Sequence, residues 1–428
     1  MADRALTSLW AASAAVPQFR APEQTGALQC ELVVIGGGFT GLSTALHAAE
    51  LGCDVIVLEA EDTGFGASGR NGGQVNPGVK LDEIALAARF GQAGRVLYQL
   101  GQEAPDFLAD LIARKGLKGR FERNGLFRLA HNRVALGTVR NAAEALRRSG
   151  VAAEDLNAEA VRSRVGTARY VGGLYDPRGA SVHPLDLVNE LARAAAGAGA
   201  RIFAHSAATS LRRERGRWRV GTAKGSVLAR KILVATNAYT GGPIPELAES
   251  VLPVNSFQIA TAPLGELGTK MLPACETCYD SRRLILYFRK SPDGRLVMGG
   301  RASFSSARDT SSKVADYFVL ERVLHGVFPA VKSLPIVYRW TGLVGITFDY
   351  LPHYHALADE LHILIGYNGR EVALSHRLGA WLGRKLAGRP EVVSIPAVPI
   401  KPFPFHAWRE TVLDLGMRWN RLMDVVGR

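Results

Sequence analysis

Three glycines, Gly36, Gly38 and Gly41, follow the apolar run Leu32–Ile35 in GxGxxG spacing. That spacing suits phosphate binding. The first glycine makes a tight turn, the second lets main chain approach a pyrophosphate, and the third lets the next helix pack close to the strand. A diphosphate can then rest on unpaired N–H groups at the positive end of that helix. Glu59 follows 59 − 41 = 18 residues after the last glycine. A carboxylate there accepts from ribose hydroxyls and repels a 2′-phosphate, which points to FAD or NAD rather than NADP. A second glycine-rich run, Thr63 to Gly73, adds Ser68, Arg70, Asn71, Gly72 and Gly73. Its backbone donors and single guanidinium suit the second phosphate and ribityl chain of a larger dinucleotide, and so favour FAD.

These groups need a frame to hold them. Leu32–Ile35 is rich in β-branched residues and reads as a strand buried on both faces. Leu42, Ala45, Leu46 and Ala49 recur at helical spacing, and Gly52 can close that helix in a left-handed cap. Residues 54–58 form a second buried strand. Together these make a βαβ unit with a parallel strand pair and a right-handed crossover. Further strands are predicted at 201–204, 217–220, 231–235 and 362–365, and helices at 185–196 and 372–386. Residues 284–289 and 295–299 flank Ser291-Pro292-Asp293-Gly294, a hairpin turn. The basic, amphipathic stretch 408–426 reads as a helix packed on its own domain.

With 428 residues, the chain can bury two or three domains' worth of core, and such domains can interleave. At 47% hydrophobic and 21% charged it is globular rather than disordered. Fifty-two Lys and Arg against 39 Asp and Glu give +13, which suits an anionic cofactor, an acidic substrate or nucleic acid. The basic residues are scattered. The short cluster Arg212, Arg213, Arg215, Arg217 and Arg219 alternates around Trp218 and reads as a solvated hairpin face. Four cysteines do not make a disulfide scaffold. Cys275 and Cys278 form a CxxC with no second pair for zinc and no thioredoxin-like context, and His353 and His355 read as incidental, so no metal site is expected. No apolar run reaches the ~18 residues of a membrane span, and the N-terminus lacks a signal-peptide pattern, which predicts a cytoplasmic protein.

The runs LVVIGGGFTGLSTALHAAELG…VIVLEA and GFGASGRNGGQ resemble the D-amino-acid-oxidase-type FAD-dependent oxidoreductases, and within them the gamma-glutamylputrescine oxidoreductase-like members. Weaker resemblances follow at Val182-His183-Pro184, at 232–238, at 295–301, at Trp340-Thr341-Gly342 and at 366–369. The resemblance implies an α/β fold: a three-layer, Rossmann-like FAD domain with a parallel sheet, interleaved with an antiparallel-sheet substrate domain. The implied segments are 30–90, 150–240 and 340–390 for the first and 91–149 and 241–339 for the second. A leader at 1–29 and an extension at 391–428 complete the chain. By the same resemblance Gly36, Gly38, Gly41, Glu59, Ser68, Arg70, Asn71, Gly72 and Gly73 contact FAD, Ala208 offers backbone to the adenine, and Gly369, Arg370, Glu371 and Val372 face the flavin. Glu371 departs from the family pattern, which has glycine there. Its carboxylate points away from the flavin, or is offset by Arg370, or lowers the flavin potential.

The resemblance also implies the chemistry: hydride transfer to flavin N5 from the carbon beside an uncharged amine, giving an imine that hydrolyses. Burial alone deprotonates an amine, so no dedicated base is expected. Catalytic candidates are Tyr287, Trp340 and Tyr367, which with Tyr350 could form an aromatic cage or simply pack the core. Arg301 could anchor a substrate carboxylate or cap a strand edge. The expected substrate is a small amine, a polyamine derivative such as gamma-glutamylputrescine; a D-amino acid or sarcosine is the alternative. The positive charge alone keeps an FAD domain acting on RNA in view, and a plain NAD dehydrogenase is the last competitor. The electron acceptor is oxygen or another carrier, and the oligomeric state stays open.

Overall fold

The computed structural model describes residues 8–304, 314–357, 360–389 and 393–403. Its centre is a mostly parallel sheet. Gly26–Ile35 runs parallel to Val55–Leu58 on one side and to Gly225–Val234 on the other. Arg201–Phe203 and Leu361–Ile365 extend it in parallel, and His353–Leu357 closes one edge antiparallel. The crossover between the first two strands is helix Phe39–Ala49, and Gly52 takes φ +81° just beyond it, as a left-handed closure requires.

Alternate residues of the central strands feed two cores. Leu32, Val34, Val55 and Val57 pack against helices Phe39–Ala49, Pro184–Gly197 and Glu371–Leu386. Val33, Ile35, Ile56 and Leu58 face the other way, toward Val220, Val227 and Trp218 of an antiparallel arm built from Ser210–Glu214, Arg217–Gly221 and Gly225–Val234. Helix, sheet and arm make three layers. Fully burying each such side chain stabilises the fold by about 1.5–3 kcal/mol. In the arm, Arg219 pairs with Glu214 and Arg213 lies over the Trp218 ring.

A second sheet runs Ile336–Ile346, Leu252–Pro263, Arg295–Phe304, Tyr287–Lys290, Thr277–Asp280, Leu126–Ala130, Gly172–Asp176 and Glu154–Asn157. All pairs are antiparallel except Thr277–Asp280 with Leu126–Ala130. The predicted turn joins two of its strands, with Gly294 at φ +78°.

Several expectations are corrected here. Glu154–Asn157 and Gly172–Asp176 pair in the second sheet, not with the first as their place in 150–240 implied, and Ile336–Ile346 runs across the expected boundary at 340. Backbone pairing sets the partner, and such short, partly polar strands carry no sign of it. The first strand begins at Gly26, inside the expected leader, because its outer half is paired but exposed and therefore lacks the apolar run. The leader itself is tied down: Leu9 and Trp10 of helix Leu9–Ser13 are each 1% exposed. The amphipathic stretch 408–426 lies outside the described residues.

Candidate dinucleotide site and the cavity beyond it

A cavity of about 1090 Å³ opens at the ends of the first sheet's central strands and runs to the face of the second sheet. That is at the upper end of ligand-pocket volumes, room for a dinucleotide and a small molecule beside it. The glycine loop forms one end. Gly36 has φ +112°, and a Cβ there would meet Ala235 O at 2.9 Å. A Cβ on Gly41 would stand 2.0 Å from Gly36 O, so only glycine lets the helix start this close to the strand. Gly38 caps helix Phe39–Ala49 with no side-chain partner, leaving its first amides open except Phe39 N, which donates to Ser68 Oγ at 2.9 Å. Glu59 accepts from Gly37 N at 2.6 Å and Glu61 N at 3.0 Å. Burial raises its pKa against the pull of these amides.

The second loop is held from outside. Arg70 O accepts from Trp340 Nε1 at 2.9 Å and Gln258 Nε2 at 2.7 Å. Asn71 O accepts from Trp10 Nε1 at 2.8 Å, and Gly73 O from Arg289 Nη1 at 3.0 Å. Within the loop, Asn71 Oδ1 accepts from Gly73 N at 2.8 Å, and Arg70 Nε donates to Phe65 O at 2.7 Å. A Cβ on Gly72 would lie 2.9 Å from the Tyr287 ring.

The last loop closes the far wall. Gly366 and Asn368 take positive φ, and a Cβ on Gly366 would strike Thr347 Cγ2 at 2.1 Å. Arg370 reaches across to donate to Pro77 O at 2.8 Å and to the Tyr279 hydroxyl at 3.3 Å. Glu371 folds back, accepting from Gly369 N at 3.1 Å at the start of helix Glu371–Leu386, and still lines the cavity. Burial raises its pKa, opposed by backbone donors and by Lys80 and Arg370. Burial would raise the Tyr279 hydroxyl too, but Arg370 and Arg128 turn the net shift downward. Lys80 lines the same wall without a hydrogen bond or ion pair among the described residues; burial, then Arg370, lower its pKa to about 8.

Every residue the sequence assigned to the cofactor lines this cavity except Gly41 and Gly73, which shape the turns behind it. Of the catalytic candidates, Tyr287 and Tyr367 line it, with hydroxyls on Ser256 Oγ at 2.9 Å and Thr40 Oγ1 at 2.7 Å. Burial raises both phenols, so they stay protonated. Trp340 is a correction: it lies outside the lining and packs with Trp10 behind the second loop, so the four aromatics form no cage. Arg301 sits in strand Arg295–Phe304, but its side chain lies outside the described residues. His353 has the carboxylate partner the sequence did not suggest, Asp349 at 2.9 Å, yet neither His353 nor His355 lines the cavity. Cys275 and Cys278 are free thiols, and no metal-holding cluster occurs among the described residues. Sequence reasoning missed Gln258, Lys80, Tyr279 and Trp10. A glutamine inside the mostly buried strand Leu252–Pro263 was the one available signal.

The residues present fit a flavin dinucleotide. A glycine cradle leaves amides open, an acid stands beside it, and Gln258 Oε1, buried at the cavity wall, has no donor among the described residues. The sequence signature of FAD dependent oxidoreductases, DAO, matches residues 31–385. The chain is 36% identical over 406 residues to gamma-glutamylputrescine oxidoreductase of Escherichia coli (strain K12), covering 94% of each protein. It is 30% identical to the probable oxidoreductase OrdL of Rhizobium meliloti (strain 1021), again over 94% of each. Glycine oxidase from Geobacillus kaustophilus superposes with TM-score 0.74 at 19% identity, over 87% of this chain and 100% of that one. The last likeness shows the fold. The first two, with the signature over most of the chain, show the lineage: this is an FAD-dependent oxidoreductase of the DAO family.

Proposed function

We propose that the chain oxidises the C–N bond of an acylated diamine of the gamma-glutamylputrescine kind. The relative with that activity in its name is the first support. The residues that would hold FAD are Gly36, Gly38, Glu59, Ser68, Arg70, Asn71, Gly72 and Ala208, with the loop 369–372 against the flavin. On this reading the first sheet and its helices form the cofactor domain, and the second sheet forms the substrate wall. Bound FAD supplies the two-electron acceptor that takes a hydride from the carbon beside the amine nitrogen.

The observation that carries the reading is the cavity wall itself. Among the described residues it holds no histidine, and two of its tyrosines, Tyr287 and Tyr367, keep their protons. Lys80 and Tyr279, whose pKa values are pulled down, are tied to the Arg370 corner of the wall. Apolar Val254, Leu284, Ile285 and Leu343 instead exclude water, and that desolvation favours the neutral amine from which hydride can leave. Lys80, with Arg370 and Tyr279, makes a cationic corner for the carboxylate at the substrate's other end.

The same Arg370–Tyr279 pair favours a second reading, an amino acid whose carboxylate sits beside the reacting carbon. Anaerobic bleaching of the holoenzyme separates the two. Gamma-glutamylputrescine and N-acetylated diamines should bleach the flavin faster than D-amino acids or sarcosine. The reverse order, or no bleaching by any amine, overturns the proposal.

A further inference from the structure

We infer that Trp10, from the segment ahead of the first strand, is a positioning residue for the cofactor: it fixes the Asn71–Gly72 peptide so that the Gly72 amide is presented to FAD. The inference rests on the FAD reading of the cavity, and its test reads the cofactor rather than turnover.

The geometry begins at one peptide bond. Asn71 O accepts from the Trp10 indole at 2.8 Å. A trans peptide holds its C=O and the following N–H on opposite sides, and among the described residues no peptide is cis. With the carbonyl drawn outward to Trp10, the Gly72 N–H points the other way. Gly72 and Asn71 both line the cavity, and Gly72 N makes no hydrogen bond among the described residues, although its neighbours Asn71 N and Gly73 N are both engaged. An open amide at a cavity wall is a donor awaiting an acceptor. The heteroatoms of a flavin ring, which gain negative charge on reduction, supply one.

Trp10 is built to hold that aim. It is 1% exposed and packs edge-on against Trp340 at 5.9 Å and His183 at 5.2 Å. The Arg289 guanidinium sits over its ring at 5.0 Å while donating to Gly73 O, so one cation links Trp10 to the far end of the same loop. The segment behind Trp10 is anchored independently. Ser13 Oγ meets His183 Nε2 at 3.1 Å, Val16 N donates to Asp186 Oδ1 at 3.0 Å, and Phe19 N donates to Asn189 Oδ1 at 2.8 Å. Gln18 Nε2 donates to Thr63 O at 3.0 Å, at the start of the same glycine-rich run. The segment therefore grips the cofactor loop at both ends while docked on helix Pro184–Gly197.

The test is Trp10→Phe, which keeps an aromatic ring and deletes the N–H. The FAD dissociation constant should rise about fivefold, the worth of one net hydrogen bond, and the flavin midpoint potential should fall, because the Gly72 N–H is no longer aimed at the reduced ring. Ser13→Ala loosens the same segment away from the loop and should leave the potential unchanged. A Trp10→Phe protein with wild-type potential and FAD affinity and only a lowered Tm overturns the inference. Should that variant fail to fold, benzothienylalanine at position 10, a near-isostere without the N–H, gives the same two readings.

Discussion

At the scale of single residues, the site depends on which atoms have space. Gly38→Val would put a side chain where Ser68 Oγ stands, 2.8 Å from the Cβ position, and across the open helix N-terminus. The purified variant should be colourless and should show no flavin absorbance after incubation with FAD. Glu371 is the residue whose role changes most with its surroundings. Its carboxylate folds back onto Gly369 N, ahead of its own helix, yet it lines the cavity, where negative charge disfavours reduced flavin. Glu371→Gln keeps an oxygen that can accept from Gly369 N and removes the charge, so the flavin midpoint potential should rise; an unchanged potential would place the charge out of the ring's reach. Lys80→Met should raise KM for carboxylate-bearing amines about tenfold, the loss of one charge-assisted contact, with little change in kcat. Amines lacking the carboxylate should be unaffected in steady-state assays.

At the scale of elements, two helices set the distance between two walls of the cavity. Helix Phe39–Ala49 carries the glycine cradle at its start, and helix Glu371–Leu386 carries the last loop. They meet through glycines: a Cβ on Gly379 would lie 2.8 Å from Ser43 Cβ, and one on Gly383 would lie 2.6 Å from Thr44 O. Cross-links lock the close approach, with Ser43 Oγ donating to His376 O at 2.7 Å and Thr44 Oγ1 to Gly379 O at 3.1 Å. Gly379→Ala should cost about 1–3 kcal/mol, as overpacking does. It should also weaken FAD binding, because separating the helices moves both walls. Thermal unfolding followed with and without added FAD checks both effects. A variant that loses stability but binds FAD as before would mean the helix spacing does not govern the site.

At the scale of the whole molecule, a buried histidine links the leader to the core. His183 Nδ1 accepts from Asp186 N at 3.1 Å, capping helix Pro184–Gly197 as a neutral ring. Burial first, then Arg120 and Arg289, push its pKa down to about 3. An unfolded histidine takes up a proton near pH 6.5, whereas this one does not until far lower, so its stabilising contribution is full above pH 6.5 and is lost as pH falls toward 3. Measured against His183→Asn, whose side chain can cap but cannot titrate, wild type should lose its Tm advantage steadily as pH drops from 7 to 4. A constant difference would show that His183 titrates normally. Among the described residues no helix is long and apolar enough to cross a membrane. The net charge is +13, and some arginines are paired locally, such as Arg219 with Glu214 and Arg178 with Asp176.

The sequence by itself determined the cradle. Gly36, Gly38, Gly41 and Glu59 lie within 24 consecutive positions (36 to 59), and their backbone geometry follows from local rules: a buried strand, a tight turn, a helix start. The last loop came only from the resemblance at 366–369, and where Arg370 and Glu371 point was not legible at all. The tertiary structure alone decided the rest of the wall. Of the aromatics that could line the cavity or pack the core, Trp340 stands behind the loop and Tyr287 faces in, and Gln258, Lys80, Tyr279 and Trp10 joined the site unannounced. The bonds that assemble it span the chain, 270 residues between Trp340 and Arg70 and 327 between Thr40 and Tyr367. Side chains that far apart meet only once the pairing of two sheets is fixed, and the partner of a short strand is chosen by backbone hydrogen bonds that every residue except proline can make.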